Sequence, residues 1–77
     1  MYLEDLMDHV NYGSWLYIKY DESDMFVFVD QYMSENDDIR RKLKPLLDRE
    51  VDGIRPARMN NPNDPGKRIN VLMVYLI

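Results

Sequence analysis

The chain has 77 residues, no cysteine and a net charge of −4, with 14 acidic residues against 10 lysines and arginines. This length predicts a single domain spanning residues 1–77 with a small core. The absence of cysteine excludes a disulfide framework and a cysteine–zinc site, and it fits a reducing compartment.

The first segment, "YLEDLMDHVNYG", has apolar residues at helical spacing: Leu3, Leu6, Met7 and Val10. Acids crowd its first turns, where the helix dipole favours them, and Gly13 can close a helix. We therefore predict a helix over about residues 2–12. The acidic start carries no long apolar stretch, so we expect no signal peptide and a cytoplasmic protein.

Two extended segments follow the helix. "SWLYIKY" alternates aromatic and β-branched residues, and "MFVFV" (25–29) resumes an apolar run after the polar "DESD" (21–24). This pattern predicts a β-hairpin with a four-residue turn.

The next segment has helical character. Ser34 followed by Asp37 is a capping signal, and apolar residues then recur at helical spacing: Ile39, Leu43, Leu46 and Leu47. Pro45 interrupts this pattern because it lacks an amide proton. We predict a helix over 35–44, followed by a turn through "PLLD".

The last third predicts two strands and a loop. Residues 50–55 form a plausible edge strand, since Gly53 and Pro56 weaken it, and "NNPNDPGK" (60–67) has the composition of a loop. The closing run "INVLMVYLI" (69–77) is apolar on both faces of a strand, yet about half the length of a membrane span, so we expect no membrane association. Such a strand needs cover on both sides.

The predicted order is α-β-β-α-β-β, an α+β fold with a four-stranded, mostly antiparallel sheet and two helices. The two helices then either flank both faces of the sheet, or a second subunit covers the spare face. A central position for the closing strand and a homodimer interface are compatible with each other.

Charge is distributed unevenly along the chain. Residues 1–38 carry ten acids against Lys19, a balance of −9, whereas residues 39–77 carry nine Lys and Arg against four acids, a balance of +5. In a compact fold these halves can neutralise each other; held apart, they create a strong dipole.

The segments "LEDLMDHV", "LYIKYDESDMFVFV" and "LLDREVDGIRP", followed by a closing strand, resemble small proteins encoded in phages and prophages of Gram-positive bacteria. The resemblance covers most of the chain, although "NPNDPGKR" and the apolar end depart from the pattern. It implies a phage context and the host cytoplasm, and some such proteins inhibit host defences, including anti-CRISPR proteins. Its motifs are structural, so it implies no site residues.

No motif predicts catalysis, a metal site or a cofactor. His9 is the sole histidine and lies four residues after Asp5, where the two can pair, but no nucleophile motif accompanies it. "DESD" and "SENDD" lack the spacing and glycine of a calcium loop, and are better explained as a hairpin turn and a helix cap. We predict that the protein is not an enzyme.

The favoured function is inhibition of a host defence nuclease, such as a CRISPR effector, by stoichiometric protein–protein contact. Carboxylates on a helix and a hairpin can occupy a basic groove that normally holds nucleic-acid phosphates. The candidate contacts are five acids and two aromatic anchors: Asp5, Asp8, Asp21, Glu22, Asp24, Tyr17 and Tyr20.

Two alternatives remain. The basic half predicts a nucleic-acid-binding module if its cations converge: Arg40, Arg41, Lys42, Arg55 and Arg58. The overall acidity opposes this. The other alternative is a homo-oligomeric adaptor with the closing strand buried between subunits, in which case a charge at Val74 should dissociate the oligomer.

Overall fold

The computed structural model describes residues 1–34 and 37–77. Its elements are α1 (Leu3–Met7), β1 (Trp15–Tyr20), β2 (Ser23–Phe28), α2 (Val29–Met33), α3 (Asp37–Leu43), a 3-10 turn (Lys44–Leu46), β3 (Val51–Asn61) and β4 (Asp64–Leu76). The predicted α+β class and four-stranded sheet are confirmed.

The first helix is shorter than the predicted 2–12. Its start is capped locally, since the Tyr2 amide donates to Asp5 Oδ2 at 3.0 Å. The helix ends at Met7, where the chain enters Asp8, His9 and Asn11, residues of modest helix propensity. Gly13 does take the left-handed conformation, with φ of 82°, but it serves a separate turn before β1.

The hairpin forms as predicted, with a tighter turn. Residues 21–22 connect β1 and β2, so β2 begins at Ser23 and not at 25. Asp21 has φ of 53°, a conformation that aspartate tolerates better than most residues.

The predicted helix over 35–44 corresponds to α3, and a further helix that the sequence did not predict, α2, precedes it. The helix α2 follows β2 without a loop. Its two buried residues, Val29 and Tyr32, lie one helical turn apart, so burial of this helical face favours the helix. The predicted start, residues 35–36, lies outside the described residues. The end is confirmed within one residue: α3 stops at Leu43, and Pro45 sits in the 3-10 turn that follows.

The third and fourth strands form a long hairpin, and the predicted loop over 60–67 is wrong. Pairing continues through Arg58↔Asn70 and Asn60↔Arg68, and residues 62–63 form the turn. Pro56 lies within β3, which is the edge strand that the sequence predicted, and an edge strand tolerates a missing amide donor.

The closing strand is central, as its two apolar faces predicted. The sheet order is β2-β1-β4-β3, so β4 lies between β1, which runs parallel to it, and β3, which runs antiparallel. The β1–β2 pair is antiparallel as well. The sheet is therefore mixed, with two of its three pairings antiparallel.

All described helices pack on one face of this sheet. Four strand residues on that face are fully buried: Leu16, Ile18, Val27 and Val74. They form one core with side chains from every helix: Leu3, Leu6, Met7, Val29, Tyr32, Leu43 and Leu46. The helices therefore do not flank the sheet, and the structure separates a covered face from an uncovered face.

Candidate binding surfaces

The uncovered face of the sheet is mostly aromatic and apolar. Its residues alternate with the core residues along each strand, and the register aligns them in rows across the sheet: Phe28–Trp15–Val71–Ala57 and Phe26–Tyr17–Met73–Arg55. Tyr75 lies in the next row, beside Lys19. Apart from exposed Arg55 and Lys19 and buried Val71, the side chains named here are half-buried, and none joins the core beneath the helices.

The aromatic rings on this face hold one another in place. Trp15 stacks on Phe28 with ring centroids 4.8 Å apart, and Phe26 meets Tyr17 edge-on at 4.5 Å. Phe26 also lies edge-on to Trp15 at 6.3 Å. Both contact types are favourable aromatic geometries, so the face is a preorganised apolar platform.

Three charged residues lie on the uncovered face: Asp24 and Arg55 on its two edge strands, and Lys19 on the interior strand β1 opposite Asp24. Asp24 is on the edge strand β2 and accepts a hydrogen bond from the Tyr17 hydroxyl at 2.5 Å. That hydrogen bond, with burial and the Asp24 charge, raises the pKa of Tyr17 above its ordinary value. Lys19 lies 5.9 Å from the Tyr17 ring centroid. Arg55 is exposed on the opposite edge strand, and within the described parts of the chain it has no ion-pair partner.

A second surface, which we name the acidic end, lies where β1 and β4 finish and β3 begins. The main-chain pairings that bring these segments together are Ile77 N–H to Glu50 C=O at 3.0 Å and the Tyr2–Glu50 bridge. The exposed carboxylates there belong to the hairpin turn and to the approach to β3: Asp21, Glu22, Asp48, Glu50 and Asp52. Glu4 and Asp5 extend the surface along α1, whose first amide, from Leu3, bonds the Arg49 carbonyl at 2.9 Å.

Arg49 holds the acidic end together. Its guanidinium donates to both carboxylate oxygens of Asp21, at 3.2 and 3.0 Å, and twice to the Ile77 carbonyl, at 2.9 and 2.7 Å. One side chain therefore ties the β1–β2 turn to the end of β4. The hydrogen bond from Arg49, followed by its charge, lowers the pKa of Asp21, and the same hydrogen bond raises the pKa of Arg49.

The Asp21–Arg49 pair should make stability depend on acid pH. Because the pKa of Asp21 is lowered below 3.8 in the folded protein, its stabilisation is present above that value and is lost as pH falls through the folded pKa. We expect Asp21→Asn, which keeps the tolerance for the turn conformation, to lower the melting temperature at neutral pH. That difference should vanish in strong acid. Melting curves across this pH range test it, and a difference that persists in strong acid would contradict the electrostatic origin.

The structure brings part of the predicted acidic site together. Asp21 and Glu22 share the hairpin turn with Asp24 close by, and Asp5 lies in the first turn of α1. Asp8 caps the opposite end of α1. The two predicted anchors separate: Tyr17 lies on the uncovered face, whereas Tyr20 packs against the core on the covered one. His9 bonds through Nδ1 to the Asp5 carbonyl at 2.7 Å, not to its carboxylate.

The five cations of the nucleic-acid alternative do not converge. Arg40 is half-buried on α3, bonding the Tyr32 carbonyl at 3.0 Å with its guanidinium 4.4 Å from that ring's centroid. Arg41 pairs with Asp38 at 2.9 Å, and Lys42 is exposed beside it. Arg55 and Arg58 lie on β3, and they face opposite sides of the sheet because their positions differ by an odd number.

The charge asymmetry of the sequence persists in the fold. Two of the ion pairs between described residues, Arg41–Asp38 and Lys67–Asp64, join neighbours three positions apart. Among these residues, only Arg49–Asp21 joins distant segments. The acidic end therefore keeps most of its negative charge unneutralised.

An open groove of about 490 Å³ lies beside Trp15, where β1 begins and the β3–β4 hairpin continues past it. Its lining draws on both sides of the sheet. Trp15, Ala57 and Val71 belong to the uncovered face, whereas the residues that alternate with them face the other side: Pro56, Arg58, Asn70 and Leu72. The sequence did not predict this groove, because the predicted β3 ended at residue 55.

Within the described parts of the chain, no three His, Cys, Asp or Glu side chains are grouped so as to hold a metal ion. None of the helices described has the length and apolar character needed to cross a membrane. Comparison with known proteins finds no matching family model, no matching curated protein and no matching solved structure. The two surfaces themselves are therefore the basis for inferring function.

Proposed function

We propose that this protein is a small, non-enzymatic binding protein that inhibits a host defence nuclease by stoichiometric contact. In this proposal the acidic end enters a basic surface that otherwise holds nucleic-acid phosphates. A CRISPR effector is a target of this kind, and the phage-type resemblance of the sequence is what suggests it.

The observation that carries the proposal is the concentration of exposed carboxylates at one end of the sheet. Glu22 comes from the β1–β2 turn, and Glu50 and Asp52 come from the start of β3, yet the strand pairing brings the two segments to the same end. Arg49 is the neighbouring cation, and it is already engaged by Asp21. Among the residues that the structure describes, Glu22, Glu50 and Asp52 form no ion pair, so their carboxylates can face a partner.

The arrangement suits recognition of a basic groove for two physical reasons. Its field attracts a positively charged partner from a distance, which raises the association rate at low salt. Its carboxylates stand on strand ends and a tight turn, and Arg49 fixes the turn, so little ordering entropy is lost on contact.

The test is a plasmid-cleavage assay with a panel of purified RNA-guided nucleases and a titration of this protein. We expect protection near an equimolar ratio for at least one nuclease. The test variant combines Glu22→Lys with Glu50→Lys, which spares Asp21 and its structural pair. Loss of complementarity should weaken inhibition by at least about tenfold, which corresponds to about 1.4 kcal/mol.

A control variant of equal charge change combines Asp37→Lys with Asp64→Lys, on the first turn of α3 and near the tip of the β3–β4 hairpin. It should inhibit as the parent does, because neither residue belongs to the acidic end. Full inhibition by the Glu22 and Glu50 variant, or protection against none of the nucleases, would contradict the proposal.

The nucleic-acid alternative has less support, since its cations are spread over α3 and both faces of β3. Salt-sensitive retention of the protein on DNA or RNA would favour it. The homo-oligomer alternative draws support from the uncovered face, which the acidic-end proposal leaves unused.

A further inference from the structure

We propose that the uncovered face is the interface of a homodimer, in which a second copy of this chain packs the same face against it. The two-fold axis runs parallel to the strands and midway between the two sheets. This inference is independent of the acidic end, because the two surfaces do not share their central residues.

The apolar character of the face is the first observation. Ten positions on it are aromatic or aliphatic, and together they form one continuous patch: Trp15, Tyr17, Phe26, Phe28, Ala57, Met59, Ile69, Val71, Met73 and Tyr75. A patch of this kind on a monomer is characteristic of an interaction surface. The homogeneous apolar centre suits another sheet, since sheets pack face to face about 10 Å apart with interdigitating side chains.

The size of the face is compatible with a dimer. Four strands at normal spacing make it about 19 Å wide, and the distance along β4 from Ile69 to Tyr75 is about 20 Å. Its projected area is roughly 400 Å² per copy. Two copies together therefore approach the roughly 1,000 Å² that a specific interface needs.

The charges on the face select a second copy as the occupant. Asp24 lies on the edge strand β2 and Arg55 on the edge strand β3, three strand spacings or about 14 Å apart. They cannot pair within one chain. An axis parallel to the strands places β2 of each copy over β3 of the other, so Arg55 lies one row from the partner subunit's Asp24. An arginine side chain spans that offset, and the pair forms twice.

The same charges exclude the other two-fold arrangement. An axis perpendicular to the strands places β3 over β3 and β2 over β2. Wherever this axis crosses the strands, Asp24 and Arg55 stay on opposite edges and cannot pair; an axis through the row of Arg55 places Arg55 over its own copy, and an axis through the row of Asp24 places Asp24 over its own copy. Bringing like charges together in a desolvated interface is costly, so the parallel axis is favoured. It also places both acidic ends at the same end of the dimer.

The experiment measures the molecular mass by sedimentation equilibrium over a wide concentration range, with circular dichroism to verify folding. The parent protein should dimerise. Arg55→Asp and Asp24→Arg should each weaken the dissociation constant at least tenfold, because each creates two like-charged contacts. The double variant should recover the parental affinity, and an equimolar mixture of the single variants should form heterodimers.

A parent protein that stays monomeric at the highest concentration would overturn the inference, and the face would then belong to a different partner. Single variants that fold and dimerise as well as the parent would also overturn it. So would a double variant no stronger than the single ones, since the charge swap restores complementarity only when β2 lies over β3. Both side chains are exposed; because Asp24→Arg also removes the hydrogen bond from the Tyr17 hydroxyl, the circular dichroism of that variant must match the parent's before its mass is compared.

Discussion

Replacing Val74 with aspartate should unfold the protein, whereas the same replacement at the neighbouring Met73 should leave it folded. Val74 is fully buried in the core beneath the helices. Met73 is adjacent in sequence but faces the uncovered side, in the row of Tyr17 and Arg55. The two variants therefore place an identical charge on opposite faces of one strand.

The expected difference is large. An unpaired carboxylate in an apolar core costs several kcal/mol, while a domain of this size has a total stability of about 4–12 kcal/mol. Val74→Asp should consume most of that stability, whereas Met73→Asp should change the free energy of unfolding by less than about 1 kcal/mol beyond any loss of self-association. The predicted test of the oligomer, a charge at Val74, therefore falls on a core residue and would unfold the chain. A charge at Met73 tests the interface instead.

Circular dichroism and thermal melting of both variants give the answer. The melting temperature should be compared at low protein concentration, where association contributes little. If Met73→Asp unfolds as completely as Val74→Asp, the uncovered face is covered within a single chain, contrary to the structure.

Leu43→Ala should be the most damaging truncation in α3. Leu43 is fully buried, and it is the buried residue of that helix. Removing its side chain leaves a cavity between α3 and the sheet, at a cost of about 2–5 kcal/mol. The matched control is Lys42→Ala one position earlier, which is exposed and should change stability by less than about 0.5 kcal/mol.

Urea unfolding curves of the two variants measure this difference directly. The midpoint should fall for Leu43→Ala with an unchanged slope, because the surface exposed on unfolding stays nearly the same. Equal midpoints for the two variants would mean that α3 contributes little to the core.

The central position of the closing strand could be predicted from its composition. A strand that is apolar at both odd and even positions needs cover or neighbours on every side, and β4 has β1 and β3 beside it and the helices over Val74. Its length could not be predicted, because "NNPNDPGK" has loop composition throughout, although Pro62 and Asn63 alone form the turn. Edge-strand pairing tolerates polar residues that a composition argument assigns to loops.

The candidate surfaces were only partly predictable. Asp21 and Glu22 stood out as a polar turn between strands, and the turn is real. The role of Arg49 was hidden, because its partners Asp21 and Ile77 are both 28 positions away along the chain. The alternation of Trp15 with Leu16 and of Phe26 with Val27 separates two faces, but sequence spacing cannot tell which face the helices cover. Tertiary packing makes that choice.

In the proposed homodimer, a second copy of the chain packs on the uncovered face. The most direct test of this packing is the fluorescence of Trp15, the sole tryptophan, which lies on that face. Acrylamide quenching should be strong for Arg55→Asp at every concentration, and for the parent it should weaken as concentration rises through the dimer dissociation constant. In that case the Trp15 ring is more accessible to the quencher in the monomer than in the dimer. Equally weak quenching for both proteins at every concentration would show that the ring is already covered within a single chain, and would contradict this account.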